Sequence, residues 1–283
     1  MALAVACRIV ECWSVTTATH AAHDVGERAG WRAVAMPSEH GGWGLTLEPV
    51  LLGLLIAWSA AGVALGVAAF AAFLVRTPLK LVLLDVRRGR WLDRSRLALR
   101  IVTIELAVLG TAVAVALAVA GWSWLAPALI AGPFVALELW FDVRSRGRRL
   151  IPELCGAIGI AAVAASIVVA AHRSTVLAAG VWLLLAGRSI GAIPFVRVQI
   201  QRLRRGRGPA WQSDLAQVVA LSLAGVAAVV DRRLLAGLVG VVTLAVAQSV
   251  WIRCAPIPAK QLGLRQMALG LALVAVTAVG VLW

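Results

Sequence analysis

Seven ionisable side chains fall inside or just within long apolar runs of this 283-residue chain: Glu48, Arg76, Lys80, Glu105, Glu138, Glu153 and Arg188, with Gln248 as an uncharged polar addition. An ionised group at the centre of a lipid-embedded helix costs at least ~2.5–3.5 kcal/mol on insertion scales, so each asks for a partner, a water-lined path or a use. Facing acids and bases can hold a charged ligand or pass protons. His40, beside Glu39 where the first apolar run begins, adds a group that titrates near neutral pH, as an acid/base pair or a proton-coupled site would require. The same stretch also reads structurally: Ser38 and His40 cap a helix start while Gly41, Gly42 and Gly44 let a neighbour approach. Neither an HExxH nor a phosphate-loop pattern supplies soluble-type catalysis.

The elements that must position these groups are membrane spans. Apolar residues make up 61% of the chain and charged residues 14%, against about a quarter charged in soluble domains. Roughly 20 helical residues cross a ~30 Å hydrocarbon layer, and run after run here has that length. The expected fold is all-α, a polytopic bundle of eight to nine spans. The candidates are approximately 43–59, 61–83, 99–119, 123–141, 151–171, 174–194, 213–230, 233–252 and 263–283. Residues 36–283 form one transmembrane domain. Residues 1–35 mix Thr, His, Asp, Glu and Arg without a period and read as a poorly ordered tail, with a translation start at Met36 as the alternative. Trp43, Trp58, Trp122, Trp140, Trp211, Trp251 and Trp283 fall near predicted span ends, where an aromatic belt belongs. Trp182, mid-span, reads as packing. Gly62 and Gly66 carry the GxxxG spacing that permits close helix approach within the bundle. Cys7, Cys12, Cys155 and Cys254 form no CxxC pair or Cys/His cluster, so neither a zinc site nor a disulfide framework is indicated.

The net charge of +14 could signal a nucleic-acid partner, but its placement speaks for lipid. Arg87, Arg88, Arg90, Arg94 and Arg96 follow the second span. Arg144, Arg146, Arg148 and Arg149 follow the fourth. Arg197, Arg202, Arg204, Arg205 and Arg207 follow the sixth, and Arg253 and Lys260 the eighth. The opposite connections hold only Arg173, Arg232 and Arg233. By the positive-inside rule the N-terminus is cytoplasmic, and nine spans then leave the C-terminus outside. The basic loops meet anionic lipid rather than nucleic acid.

With that orientation the intramembrane charges gather in the cytoplasmic half. Long side chains near an interface snorkel, which suits Lys80, whereas a short Glu one turn inside cannot reach far. A polar cavity open to the cytoplasm is therefore expected, lined by His40, Glu48, Arg76, Lys80, Glu105, Glu138, Glu153 and Arg188, with Glu48–Arg76 and Glu153–Arg188 as pairs. Its ligand would be small and amphipathic or anionic; no metal or cofactor is expected. Glu48-Pro49 with Gly53, and Pro152-Glu153 with Gly156, echo one another four helices apart, as two similarly wound halves would.

The run Glu39-His40-Gly41-Gly42-Trp43-Gly44 before an apolar helix with Pro49 resembles the opening of the YwiC-like membrane proteins. Arg76-Thr77-Pro78-Leu79 and the segment from Arg188 to Arg197 are similar to that family as well. The resemblance covers about 36–283 and implies a bacterial plasma-membrane protein without implying a reaction. In topology the chain also resembles the UbiA-type prenyltransferases, whose acid-rich motifs at the cytoplasmic ends of helices two and six hold Mg²⁺ against a diphosphate. Here those places carry Arg76, Lys80 and Asp85, and Arg188 and Arg197, so that family's metal ligands do not carry over. The function expected is the binding or movement of a small or amphipathic molecule. The alternatives are a prenyl- or lipid-transferring relative without the metal motifs and a non-enzymatic assembly factor using its basic loops.

Overall fold

The computed structural model describes residues 31, 34–36, 40–89, 91–144 and 149–283, without the side chains of His40 and Gly41. Among these residues the chain forms nine α-helices and no strand: α1 His40–Ile56, α2 Ala60–Arg87, α3 Asp93–Ala120, α4 Leu125–Val143, α5 Leu150–Ala170, α6 Thr175–Arg205, α7 Ala210–Val230, α8 Leu235–Trp251 and α9 Ala259–Leu282. A 3₁₀ turn, Arg232–Leu234, joins α7 to α8. Eight of the nine are long and apolar enough to cross a membrane. The exception is α1, whose 17 residues give about 25 Å of helix, short of the ~30 Å core; α8, also 17 residues, reaches spanning length together with the 3₁₀ turn before it. It ends early because Ser59 starts the next helix, its Oγ accepting from the Gly62 N–H at 2.9 Å. The expected tail lies almost entirely outside the described residues, as does the question of a start at Met36.

The chain divides into two compact units, Glu39–Phe73 with Glu105–Trp283, and Leu74–Ile104 with the described residues before Glu39. In the smaller one, Val34 and Ala35 are buried with Val82, Ala98 and Ile101. Its turn is fastened by Asp85, which accepts from Ser95 Oγ at 2.7 Å and from Arg94 Nη2 at 3.3 Å.

The larger unit is built on α5 and α6. Two-thirds (67%) of the apolar window of each is buried in the protein, against 11% for α4, so the first two are central and α4 is peripheral. The central position of α5 follows from its small residues: Ala161, Ala162, Ala164 and Ala165 are all buried, letting neighbours reach its backbone. Gly53 on α1 and Gly62 on α2 both receive Ile167 of α5; a Cβ on either would come within 2.9 Å of that side chain. Gly66 is likewise filled by Val50. The GxxxG spacing therefore serves packing within the chain. Trp58, Trp122, Trp140, Trp211 and Trp283 stand exposed at helix ends, as an interfacial belt would have them.

One element departs from its expected bounds in a way that matters. Pro194 read as the end of the sixth span, yet α6 runs on to Arg205. Its added turns bury Phe195 and Val198 against Ile252 and Leu262. Gln199 donates to the Trp251 carbonyl at 2.9 Å and Arg202 to the Ile252 carbonyl, meeting the orphan acceptors at the end of α8. Gly206, at φ 68°, then closes α6 in the left-handed conformation.

Two predictions follow from this packing. Gly53→Leu should destabilise the protein by about 1–3 kcal/mol through overpacking against Ile167, read from unfolding in mixed dodecyl sulfate micelles. Gly132→Leu is the control, since a Cβ there meets nothing within 4 Å. At the α7–α8 turn, hydrogen bonds from Arg233 at 3.0 and 2.7 Å hold the Asp231 carboxyl below the usual Asp range, against an opposing effect of burial. A folded-state value below the unfolded ~3.9 means the carboxylate stabilises above that pH and loses its contribution as pH falls through the folded value. Asp231→Asn should therefore lower the melting temperature at neutral pH, with the difference closing as pH falls through the folded-state value.

Candidate functional site

Arg188 lies in α6 thirteen residues beyond Thr175, about 20 Å along the helix, and is only 4% exposed. Its Nη2 donates to the Gln266 carbonyl on α9 at 2.8 Å. The same nitrogen is 3.7 Å from Oε1 of Glu48 on α1, itself 4% exposed. That is ion-pair range but too long for a hydrogen bond. The Glu48 carboxylate lies flat against α9 at Gly270, where any Cβ would collide with it.

From Gln266 the polar groups continue around the unit. Gln248 Nε2 on α8 donates to Gln266 Oε1 at 3.4 Å, and Gln217 Nε2 on α7 donates to Gln248 Oε1 at 2.9 Å. Gln217 Nε2 also reaches the Gly191 carbonyl at 2.9 Å, back on α6 and one turn past Arg188. The layer thus runs through five helices and closes on the one it starts from. Every one of these side chains is buried.

The local sequence of α6 makes this closure feasible. Gly187 brings α7 close enough that a Cβ there would stand 2.9 Å from the Ala220 carbonyl, and Gly191 leaves room for the Gln217 amide. Pro194 cannot donate to the carbonyl four residues before it, so the ladder is already interrupted beside Gly191. Gly187-Arg188-Ser189-Ile190-Gly191 spells G-x-S-x-G, but a nucleophile elbow needs a strand-to-helix turn and this run is mid-helix. Its glycines serve packing.

The layer leaves several donors unmet. Arg188 Nε and Nη1 and Gln266 Nε2 are buried without a hydrogen-bond partner among the described residues. Ser213 Oγ, one turn before Gln217, is in the same position. An unmet buried donor costs ~1–3 kcal/mol, more when charged. Nor does the ion pair repay its burial. At 3.7 Å the attraction is worth about 4 kcal/mol with an effective dielectric constant near 20, while desolvation costs several kcal/mol per ion. Apolar residues of equal volume would serve stability as well.

Of the residues picked out from the sequence, the structure joins Glu48 and Arg188. Glu48 meets Arg188, and Glu153, which was expected to pair with Arg188, meets Arg197 at 2.8 Å. The reason is the length of α6, which sets Arg188 near the helix middle and brings Arg197 level with the start of α5. Both acids of the echoed motifs thus find their bases on one helix. Glu138 on α4 is half-buried, its carboxylate in the space left by Gly156 of α5. Glu105 is half-buried on α3, with Oε2 unpartnered among the described residues. Arg76 and Lys80 are half-buried on α2 within the smaller unit. The side chain of His40 lies outside the described residues. Beside it, Gly42 makes way for the Phe73 ring, which Trp43 meets edge-on with ring centres 5.2 Å apart. That contact supports the packing role of the glycine-rich motif.

Gln217 and Gln266 were not picked out. Neither is charged, and Gln266 directly follows Arg265, with Lys260 and Gln261 close before it, so only packing reveals that it faces inward. Three or more metal-ligating side chains meet nowhere among the described residues.

An all-α chain with eight potential spans and a buried polar layer defines an integral, multi-pass membrane protein. Residues 36–171 match the model of the YwiC-like protein family, to which that stretch is similar. The match runs from Met36 to the end of α5, so it takes in Glu48 but not Arg188 or the three glutamines. No curated protein and no solved structure matches the chain.

Arg188→Met should destabilise the protein by about 3–5 kcal/mol, because it leaves Glu48 buried and uncompensated. Adding Glu48→Gln should return most of that loss. Unfolding of both single variants and the double variant in mixed micelles gives the coupling, and additive losses would show that the two groups are independent.

Proposed function

We propose that this protein binds a small or amphipathic molecule at the Arg188 layer and moves it into or across a bacterial plasma membrane. The observation that carries the reading is Arg188 itself, a guanidinium buried mid-helix with two of its three nitrogens unpartnered among the described residues. A protein that needed the charge only for packing would have met those donors with its own carbonyls, as it does for Arg202. The N-terminus is cytoplasmic in this reading, because the basic clusters share one side of the membrane. The ligand reaches the layer from that side, past Arg197 and Glu153.

Native mass spectrometry of the gently purified protein tests this. Wild type should carry a co-purifying small molecule or lipid that is absent from folded Arg188→Gln protein. Equal occupancy in both would remove Arg188 from ligand binding and make the layer a packing device.

A further inference from the structure

We infer that the ligand is a monoanion with an oxyanion head, carboxylate or phosphate ester, and that Glu48 is its resident stand-in. The ligand takes the place of the Glu48 carboxylate on Arg188, and Glu48 takes up a proton as it is released. This deepens the reading of the layer as a binding site and rests on it.

The chemical class follows from what is missing. The unpartnered groups beside Gln266 are the N–H donors of Arg188 Nε and Nη1 and of Gln266 Nε2. Two of the layer's amide oxygens are engaged within it, Gln266 Oε1 by Gln248 and Gln248 Oε1 by Gln217. Only a group rich in acceptors satisfies that set. An ammonium adds donors, and an aliphatic chain adds nothing polar.

The exchange follows from charge. Arg188 keeps its proton at any accessible pH, so the layer holds one fixed positive charge, and Glu48 at 3.7 Å is the acid within ion-pair range of it. That pair is loosely made. Its geometry is an approach of charges without a hydrogen bond, and Gly270 leaves the carboxylate lying against bare helix backbone. A second ionised oxyanion would leave the layer with net negative charge in a low-dielectric interior, which is strongly disfavoured. A proton on Glu48 restores neutrality and makes the carboxyl a donor.

Among the described residues, the surroundings of Glu48 offer no other ionisable side chain at that level. From α6 it faces Arg188, and from α9 Gly270 and Gln266. On α9 Arg265 is turned to the Trp251 ring, 4.9 Å away, and Lys260 belongs to the first turn. On α5 the ionisable groups are Glu153, held by Arg197, and Cys155, both in the opening turns. The part of α2 in the same unit, residues 60–73, carries no ionisable side chain, and α1 itself carries only His40 besides Glu48.

The test is calorimetric titration of the full chain in neutral maltoside micelles with octanoate, in two buffers of different ionisation enthalpy, with micelle-only titrations subtracted. Octanol and octylamine are the neutral and cationic probes. Octanoate should bind wild type with uptake of about one proton at neutral pH and more weakly as pH rises. Glu48→Gln should bind octanoate at least about tenfold tighter without proton uptake, since the internal competitor is gone. Glu48→Asp, which keeps a titratable acid, should retain the uptake, and Arg188→Gln should lose octanoate binding. Octanoate binding to wild type without proton uptake, or uptake undiminished in Glu48→Gln, would overturn the exchange. Arg188-dependent binding of octanol or octylamine in place of octanoate would overturn the oxyanion class while leaving a binding site. Failure of all three probes to bind folded wild type would overturn the binding reading itself, and the exchange with it.

Discussion

The structure depends on keeping one guanidinium charge where water is scarce. Arginine cannot shed its proton, so an Arg at mid-helix must be answered by other groups. Arg188 is answered in part by Glu48 across from α1 and in part by a backbone carbonyl of α9. The glutamines of α7, α8 and α9 then carry the polar contact on to α6 again. The small residues at the contact points have the same origin. Gly187, Gly191 and Gly270 lie where the polar layer needs space that a Cβ would fill. What holds the central helices in register is therefore both the apolar core around Leu52, Ile167, Leu177 and Leu184 and this layer beneath it.

Most of the fold was legible in the sequence. Runs of about twenty apolar residues announce spans because the hydrocarbon thickness fixes their length, and all nine helices fall where such runs lie. The errors came where local signals mislead. Pro194 looks like a stop, but in a membrane helix the carbonyl it frees can be met by neighbours. Trp43 to Ser59 looks like a full span, but Ser59 caps the following helix and shortens the first. The site was half legible. Glu48 and Arg188 stand out because charge in an apolar run is expensive. Their pairing did not, because register between helices depends on where α6 ends. Gln217 and Gln266 carry no charge penalty and so gave no signal at all.

The family match and the polar layer divide the chain differently. The YwiC-like stretch ends with α5, while four of the five helices in the layer lie in whole beyond it. Glu48 is the part that the matched stretch contributes to the layer. Its partner, and the donors left over, come from the helices that follow. The glycine-rich motif that opens the matched stretch positions Glu48 indirectly, since Gly42 and Gly44 set α1 against Phe73 and Met267.

The central claim is that Arg188 is balanced by an ionised Glu48 when no ligand is bound. Infrared difference spectroscopy of wild type against Glu48→Gln, at neutral pH and without added ligand, tests it most directly. The account predicts that wild type shows the paired stretching bands of a carboxylate that the variant lacks. A protonated carboxyl band at that position in wild type would contradict it, because Arg188 would then be charged and alone.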